Sequence, residues 1–451
     1  MGVGRRQVLL GGFGIGIAAA AAGPRLAAAR DEGESLAGFS TYGIVPGGGE
    51  IDQTATLQLA ADAAAESGTP LFLPAGVYST SRLALKSGTQ IEGVPGRTIL
   101  RYRQGGAILG LDGVENVRLA GLVLDGEAKP LGEGGALLAA SAVKHLDLSD
   151  CRFIGSSENG VVLRRVSGWI RNCEFANTRK GGLFSEDAHA LQIANNHVHD
   201  CGDNGIQVWR SEAGEDGTIV SGNRIERIAS DSGGSGEHGN GISVFRAGSV
   251  LINGNRIADC AFSAIRSNSG SNCQMIGNSC ARLGEVALYA EFAFEGAVIA
   301  NNLIDKAAMG ISVTNFNEGG RLAVVQGNLI RNLFMRKEAD ARGIGIGVEA
   351  DSVVSANVIE GSPGFGIMIG WGPYLRDVNV TDNLIRNAHI GIGVSTDPAA
   401  GSALITGNLI SGAKDGAIRA MSGPTPIGPD LVKEAPETYR NLAVYANIAR
   451  S

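Results

Sequence analysis

Residues 378–394 read VNVTDNLIRNAHIGIGV, and this stretch is one full copy of a repeat that runs through two thirds of the chain. The copy holds a short strand-like segment, an asparagine, a short apolar step, a polar loop and a Gly-Ile-x-Val segment. The asparagine position recurs at intervals of 22 to 32 residues, a spacing typical of solenoids. That position is held in turn by Cys151, Cys173, Asn196, Asn223, Asn255, Asn278, Asn302, Asn328, Asn357, Asn383 and Asn408.

Each copy carries three apolar segments that are too short for helices and that alternate with the period of a β-strand. Three such strands bury their apolar sides only when successive copies stack, at about 4.8 Å, into three parallel sheets around one core. An inward asparagine at one corner of each turn bonds backbone groups and tolerates left-handed angles, which predicts a ladder of side-chain amides. We therefore predict an all-β fold, a right-handed parallel β-helix of three sheets with an asparagine ladder.

The chain divides into four predicted segments. Residues 1–29 have the pattern of a signal peptide, with Arg5-Arg6, an apolar Gly/Ala run and small residues up to Ala29. The run of about fifteen residues is short for a membrane-spanning helix, so we expect removal near Ala29, with a retained anchor as the alternative. Residues 30–82 are predicted to form an N-terminal cap, residues 83–420 the β-helix, and residues 421–451 a Pro-rich loop and a last partial turn.

The predicted cap contains one amphipathic helix, from Ile51 to Ala65. We expect Thr54 to cap its start and Gly68 to end it. A helix here would cover the open end of the solenoid, where bare strand edges would otherwise pair with other chains.

Charge and cysteine content narrow the possible partners. The chain has 38 Lys and Arg against 45 Asp and Glu, and loss of residues 1–29 would remove three arginines and no acid. This acidic balance argues against a nucleic-acid partner. The six cysteines form no C-x-x-C pair, so we predict buried free thiols and neither a metal site nor a cofactor. The cysteines are Cys151, Cys173, Cys201, Cys260, Cys273 and Cys280.

The segment Leu73-Pro74-Ala75-Gly76-Val77-Tyr78, the asparagine repeat and the Gly-Ile-x-Val strands together carry a family resemblance. They resemble the pectate-lyase-like superfamily of β-helices, and the paired arginines resemble those of twin-arginine-exported bacterial repeat proteins. The superfamily holds pectate lyases, polygalacturonases, alginate epimerases and phage tailspike depolymerases. The resemblance implies a periplasmic or secreted protein and a polysaccharide partner, lying along the Gly-Ile-x-Val sheet. The polygalacturonase motifs are absent, and their nearest trace is Glu237-His238-Gly239.

If the Ile and Val of Gly-Ile-x-Val point inward, the x residue and the residue after Val point outward. The outward positions hold four aromatic residues within five turns, predicted to bind sugar rings: Phe184, Trp209, Phe245 and Tyr289. Charged residues among them and on the loops are the candidates for proton transfer, or for binding acidic sugars: Glu186, Arg266, Glu291 and His238. We also expect His197, His199 and Arg246 to lie on loops leading to this face.

Three function classes remain open on these residues. The first is a polysaccharide-active enzyme, either a lyase, a hydrolase or an epimerase. The second is a carbohydrate-binding protein without chemistry, and the third is a structural or adhesive envelope protein. Exposed sheets favour aromatic residues and cross-strand Glu/Arg pairs in any case. The classes differ in whether Glu186, Trp209, Arg266 and Glu291 share one face.

Overall fold

The computed structural model describes residues 42–47, 49–132, 134–337, 342–434 and 439–450. The predicted signal peptide and the first part of the predicted cap, residues 30–41, lie outside these ranges. The described chain winds as a right-handed parallel β-helix, as predicted, and almost all of its strands pair in parallel with the turn before and the turn after. Each turn contributes one strand to each of three sheets.

The first sheet precedes the asparagine corner and has 15 strands. Its strands are Leu71–Leu73, Gln90–Gly93, Glu115–Ala120, Lys144–Ser149, Gly168–Arg171, Gln192–Ala194, Ile219–Ser221, Leu251–Asn253, Cys273–Ile276, Glu295–Ala300, Arg321–Gln326, Ala350–Ser355, Arg376–Thr381, Ala403–Thr406 and Leu442–Tyr445.

The second sheet follows the asparagine corner, and two strands of 12 residues run on through it into the third sheet. Its strands are Gly76–Thr80, Thr98–Tyr102, Leu122–Asp125, Arg152–Ile154, Glu174–Thr178, His197–Cys201, Arg224–Ile228, Arg256–Cys260, Ser279–Leu283, Leu303–Asp305, Leu329–Arg331, the first halves of Val358–Ile369 and Leu384–Ser395, Leu409–Ser411 and Ile448–Arg450.

The third sheet is the Gly-Ile-x-Val sheet. Its strands are Leu83–Leu85, Leu109–Asp112, Ala136–Ser141, Asn159–Arg164, Leu183–Glu186, Asn204–Glu215, Asn240–Gly248, Ile265–Asn268, Val286–Glu291, Met309–Val313, Ile344–Val348, the second halves of Val358–Ile369 and Leu384–Ser395, and Ile418–Ser422. The strand Thr425–Asp430 then pairs antiparallel with Ile418–Ser422. A 3₁₀ turn, Phe316–Glu318, follows the third sheet in one turn.

The asparagine ladder forms as predicted. In the middle of the stack, Asn302 Oδ1 accepts the backbone N–H of Asn278 at 2.9 Å, while its Nδ2 donates to the carbonyl of Met275 at 2.9 Å and to Asn328 Oδ1 at 3.0 Å. The ladder extends one step beyond the predicted range, to Asn447, whose Oδ1 accepts from Asn408. Each amide therefore satisfies backbone groups that the corner turns inward.

The left-handed conformation at this corner belongs to the residue before the ladder asparagine. Gly327 has φ 66° and Asn301 has φ 57°, whereas the ladder asparagines have ordinary backbone angles. The expectation that the asparagine tolerates the strained angle was therefore wrong. Glycine fits the preceding position because it carries no Cβ.

Helix α1, Thr54–Ser67, lies across the N-terminal end of the solenoid and buries Leu57 against the first turn. It begins later than predicted, and its N-cap is Gln53 rather than Thr54. The Thr54 hydroxyl instead accepts the backbone N–H of Ser81 at 2.8 Å, which ties the helix to the chain entering the third sheet. Gly68 ends the helix in the left-handed conformation, as predicted.

The helix also completes the edge of the third sheet. The Gln58 side chain donates to the carbonyl of Ala84 and accepts its N–H, both at 2.8 Å. An amide side chain thus replaces the neighbouring strand that the first turn lacks, which is how this edge is protected from pairing with another chain.

The core consists mainly of aliphatic side chains from all three sheets, joined by buried aromatic residues such as the stacked pair Phe153 and Phe175, and the cysteines lie within it. All six cysteines are buried and free, which confirms the prediction. Burial raises the pKa of the Cys201 and Cys280 thiols to about 12.

Candidate functional site

The outward rows of the third sheet are those predicted from the sequence. Strand pairing aligns Glu186 with Trp209 and Trp209 with Phe245 in one row. In the neighbouring row it aligns Arg266 with Tyr289. All of the candidate residues except His238 therefore share one face of one sheet.

Three aromatic rings on this face form one group, which we call the aromatic platform: Phe184, Trp209 and Phe245. The Trp209 ring centroid lies 5.4 Å from Phe184 in an edge-on arrangement and 5.4 Å from Phe245 in a tilted one. Each ring is half-buried, so one side remains accessible. The Trp209 Nε1 donates to the Ser243 hydroxyl at 3.4 Å, which fixes the orientation of the indole.

Arginines flank both ends of the aromatic platform. Arg164 lies over the Phe184 ring at 5.8 Å and donates to Glu186 at 3.0 Å. Arg246 lies over the Phe245 ring at 4.7 Å. The Glu186 carboxylate is half-buried and carries this one arginine partner among the described residues, so part of it stays open to solvent.

Arg266 and Glu291 form a bidentate ion pair one turn further along. The Arg266 Nε and Nη2 donate to the two carboxylate oxygens of Glu291 at 2.6 and 3.0 Å, and Asn268 Nδ2 donates to the same carboxylate at 3.2 Å. Glu291 is 1% exposed. Burial opposes the charge on Arg266, yet the bond to Glu291 raises the pKa of this guanidinium above its usual range. The Arg266 guanidinium therefore stays charged and is held in a fixed orientation by two bonds to one carboxylate.

Tyr289 lies under two guanidinium groups, since Arg266 is 5.3 Å and Arg342 is 6.0 Å from its ring centroid. Burial raises the pKa of the Tyr289 hydroxyl. This tyrosine is accordingly a neutral hydrogen-bonding group at physiological pH, with its ring held between cations.

The loop of residues 229–239 covers part of the face. A Cβ at Gly236, whose φ is 129°, would overlap the Arg266 guanidinium, so only glycine allows this close approach. The loop is held at its base by Asp203, which accepts from Ser232 N at 2.9 Å and from the Ser232 hydroxyl at 2.8 Å. Burial opposes ionisation of Asp203, but these bonds lower its pKa overall.

His238 lies at the end of this loop and not on the sheet. Its side chain is half-buried, and its Nδ1 has no hydrogen-bond partner among the described residues. The positive charge that it can carry acts on Asp203 and Glu237. The structure thus brings His238 to the edge of the face, beside the loop anchor.

Three charged residues beside Arg266 were not predicted from the sequence: Glu285, Arg336 and Arg342. Glu285 lies 3.0 Å from Arg342, 3.6 Å from Arg336 and 4.0 Å from Arg266. The two arginines come from a second long loop, after the strand Leu329–Arg331. The 29-residue interval between Asn328 and Asn357 was the signal for this loop.

A groove of about 590 Å³ runs along the neighbouring corner, between the second and third sheets. It is lined by small and apolar residues such as Ala261, Gly284 and Phe334, and by charged residues such as Arg227 and Asp259. The groove is separate from the aromatic platform, and its lining is mostly apolar.

His197 and His199 do not lead to the third sheet, and this expectation was wrong. Both belong to the strand His197–Cys201 on the outer face of the second sheet, with ring centroids 4.2 Å apart. His197 contacts Glu226 at 3.1 Å, and His199 contacts Glu174 at 3.3 Å. They are part of a surface ion-pair network. The two histidines lie on the outer face because side chains alternate between the two faces along a strand, and they are not part of a loop.

Two features of the described residues bear on cofactors and membranes. No three or more His, Cys, Asp or Glu side chains in these ranges gather into a group that could hold a metal ion. No helix within the described ranges has both the length and the apolar character needed to cross a membrane.

Several solved structures share this fold at low sequence identity. The N-terminal fragment of gene product 12 of bacteriophage phi29 has a TM-score of 0.53 and 19% identity, covering 91% of this chain and 71% of that chain. PfbA, a surface adhesin of Streptococcus pneumoniae, has a TM-score of 0.51 and 14% identity, covering 91% and 99%. The pre-mature form of the phi29 protein has a TM-score of 0.52 and 17% identity; it covers 85% of this chain, which spans about half, 55%, of that protein. These likenesses show the fold.

No curated protein sequence matches the chain. The family model described as the right handed beta helix region matches residues 134–234 and 212–375, which together make more than half of the 451 residues. The matched range contains all eight predicted site residues and most of the asparagine ladder. With the repeat, the ladder and the sheets in agreement, the chain belongs to the right-handed β-helix family.

Proposed function

We propose that the protein is an exported carbohydrate-binding β-helix whose polysaccharide ligand lies along the third sheet, from the Phe184 turn to the Tyr289 turn. The observation that carries the proposal is the aromatic platform. Its three outward rings stand on successive turns of a chain that is only 5% aromatic. Ring faces at the spacing of neighbouring strands, about 4.8 Å, match the flat apolar faces of consecutive sugars.

Polar groups beside the platform supply the hydrogen bonds that a sugar requires. Gln207 and Ser243 lie in the row next to Trp209, and Asn268 follows Phe245 in the same row. Arg164 and Arg246 stand at the two ends of the platform and can bind hydroxyl or carboxylate groups. This combination of rings and donors supports acidic or neutral glycans alike.

A second candidate function is processing of the bound polysaccharide. The cluster of Arg266, Glu291 and Tyr289 favours it, because buried ionised groups beside a binding face are typical of catalytic sites. In this case Arg266, fully ionised, would bind a sugar carboxylate, and Glu186, the more accessible acid, would transfer the proton in a hydrolase. His238 would serve as the alternative proton-transfer group from the loop.

The binding proposal is tested with a matched pair of tryptophan variants. A glycan array identifies the ligand, and calorimetry then compares wild type with Trp209→Ala and with Trp169→Ala. Trp169 is 48% exposed but lies on the first sheet. Trp209→Ala should weaken binding by about 1–2 kcal/mol with little change in melting temperature, while Trp169→Ala should bind like wild type. Equal affinity of Trp209→Ala and wild type would refute the proposed face.

The processing candidate is tested on the same glycan by following product formation. Loss of turnover in Glu186→Gln, with binding retained, would support a proton-transfer role for this carboxylate. A Glu291→Gln variant that loses both turnover and thermal stability would instead indicate that Glu291 positions Arg266. If the wild-type protein forms no product from the glycan, the processing candidate is rejected and the binding proposal remains.

Export belongs to the proposal as well. Replacing Arg5 and Arg6 together by lysine should leave uncleaved precursor in the cytoplasm if a twin-arginine pathway carries the folded protein. Cell fractionation followed by mass measurement of the mature chain reports both the route and the removal of residues 1–29. Unchanged export and processing would overturn the assigned route.

A further inference from the structure

Two of the three tryptophans of this chain lie along the same edge of the third sheet. Trp209 occupies the outward row that ends each strand, and strand pairing carries that row through Phe245, Asn268 and Glu291. Three further strand pairings align Ala290 with Val313, Val348 and Ile369, so the residues that follow these continue the row and end it at Gly370, directly before Trp371. From Trp209 to Gly370 the row climbs six turns, a distance of roughly 29 Å at about 4.8 Å for each turn.

Trp371 is presented on a short, rigid turn. Trp371 and Tyr374 form an antiparallel bridge, with backbone bonds of 3.3 and 3.1 Å between them. Gly370 N donates to the carbonyl of Val348 at 2.7 Å, and the Ser395 hydroxyl donates to the carbonyl of Gly372 at 2.6 Å. The turn is therefore tied to the solenoid turns before and after it.

The two aromatic side chains of this turn remain accessible. Trp371 is 49% exposed and Tyr374 is 38% exposed. Leaving an indole and a phenol exposed on this turn gives up the stabilisation that their burial would bring. Rings held on a fixed turn also lose little conformational entropy when a ligand covers them. These properties indicate a binding surface.

Apolar side chains cover the centre of the sheet in these later turns. A Cβ at Gly347 would meet Met309 at 2.5 Å, and one at Gly393 would meet Phe365 at 2.8 Å, so side chains already cover both positions. A small apolar cluster around Met368 fills this part of the outer face. The edge of the sheet, where exposed rings lie beside polar groups, is the path along which we expect a polymer on the platform to continue.

That edge carries ligand-type groups between the two tryptophans. Phe292, at the end of the Tyr289 strand, is 38% exposed. Phe316 is half-buried one turn later, and the Arg376 guanidinium lies 4.5 Å over its ring. Thr314, half-buried beside them, offers a hydroxyl. Aromatic and polar groups thus continue from the platform to Trp371.

We propose that Trp371 and Tyr374 form a distal subsite for the same polysaccharide chain, so that the protein selects long polymers over short oligosaccharides. The inference rests on the proposed function of the aromatic platform. At roughly 29 Å from Trp209, a ligand needs about six sugar units to occupy both tryptophans. Shorter chains would bind at the platform alone.

The test compares chain length with tryptophan substitution. The full-length protein and its variants Trp209→Ala, Trp371→Ala and Trp169→Ala are titrated with trimers, hexamers and nonamers of the glycan that the array identifies. Wild type should bind the nonamer at least about tenfold more tightly than the trimer, since the longer chain reaches a second aromatic site. Trp371→Ala should remove that gain and leave trimer binding unchanged, whereas Trp209→Ala should weaken both.

The outcomes separate the two proposals. If Trp209→Ala weakens binding and Trp371→Ala binds the nonamer like wild type, the distal subsite is wrong and the platform stands. If neither variant differs from Trp169→Ala, both proposals fail. As an independent readout, Trp371 is left as the sole tryptophan by Trp169→Phe and Trp209→Phe. Its fluorescence should respond to nonamer and not to trimer, and an unchanged spectrum with bound nonamer would overturn the subsite.

Discussion

Replacing Asn302 by leucine should weaken the solenoid in the middle of its stack. The Asn302 side chain accepts from both nitrogens of Asn278, and it donates to the carbonyl of Met275 and to Asn328 Oδ1. Leucine has the same number and branching of side-chain heavy atoms as asparagine but offers no hydrogen bond. The substitution therefore removes polar satisfaction while keeping the corner filled.

The magnitude follows from the groups left without a partner. The buried N–H of Asn278 loses its acceptor, at a cost of about 1–3 kcal/mol, and the bond to the Met275 carbonyl is worth about 0.5–1.5 kcal/mol more. Asn328 Oδ1 keeps the backbone N–H of Asn302 as a donor at 3.0 Å, so it adds little. We expect a total loss of roughly 2–4 kcal/mol in the free energy of unfolding.

Hydrogen exchange is the best assay, because a solenoid opens locally between neighbouring turns. Exchange should accelerate in the strands Ser279–Leu283 and Leu303–Asp305 and stay unchanged in the turns near the helix. The matched control is Asn317→Leu, at an exposed asparagine of the 3₁₀ turn. Equal exchange and equal denaturation midpoints for Asn302→Leu and this control would refute the energetic role of the ladder.

Three further predictions follow from buried or paired groups. The six cysteines are buried, so a thiol reagent should modify none of them in the native protein and all of them in denaturant, as counted by mass spectrometry. The hydrogen bond from Arg227 lowers the pKa of Asp200 to about 2. The ionised Asp200 therefore stabilises the fold above the ordinary carboxyl pKa, and this stabilisation is lost as pH falls from about 4 to about 2. In urea titrations across that window, the free energy of unfolding of Arg227→Gln should fall less than that of wild type. Gly236→Ala should expose the loop of residues 229–239 to limited proteolysis more than Gly233→Ala does, because both glycines have positive φ and share the backbone strain, while only the Gly236 side chain would overlap a guanidinium.

The fold was predictable because its signals are local and repeated. The asparagine at each corner and the alternation of Ile and Val fix the strand faces within each copy, and the copies agree with one another. The outward rows followed from the same period of two, which placed Trp209 and Phe245 correctly. The strand status of His197–Cys201 was missed because this segment alternates polar residues with only Val198 and Cys201 inward.

Side-chain contacts between neighbouring turns were harder to predict from the sequence than the face of the sheet on which each residue lies. Arg266 and Glu291 stand in different rows of adjacent turns, and a diagonal contact of this kind depends on the register, which the sequence does not state directly. Arg336 and Arg342 reach Glu285 through the conformation of a long loop, for which no repeat supplies a template. The sequence thus predicted which residues lie on the outer face of the third sheet, but not the salt bridges that border them.

The use of the carboxylates on this face favours binding over catalysis. Glu186 accepts from Arg164 at 3.0 Å, Glu285 lies 3.0 Å from Arg342, and Glu291 has both oxygens bonded to Arg266. A general acid or base needs an accessible oxygen and a pKa near the working pH. Arginine partners already occupy oxygens of these carboxylates, which suits a surface that orients donors rather than one that exchanges protons. The platform rings, in contrast, keep an open side. In the proposed binding mode a ligand would meet apolar faces and fixed donors first, and catalysis would require it to displace an arginine from Glu186.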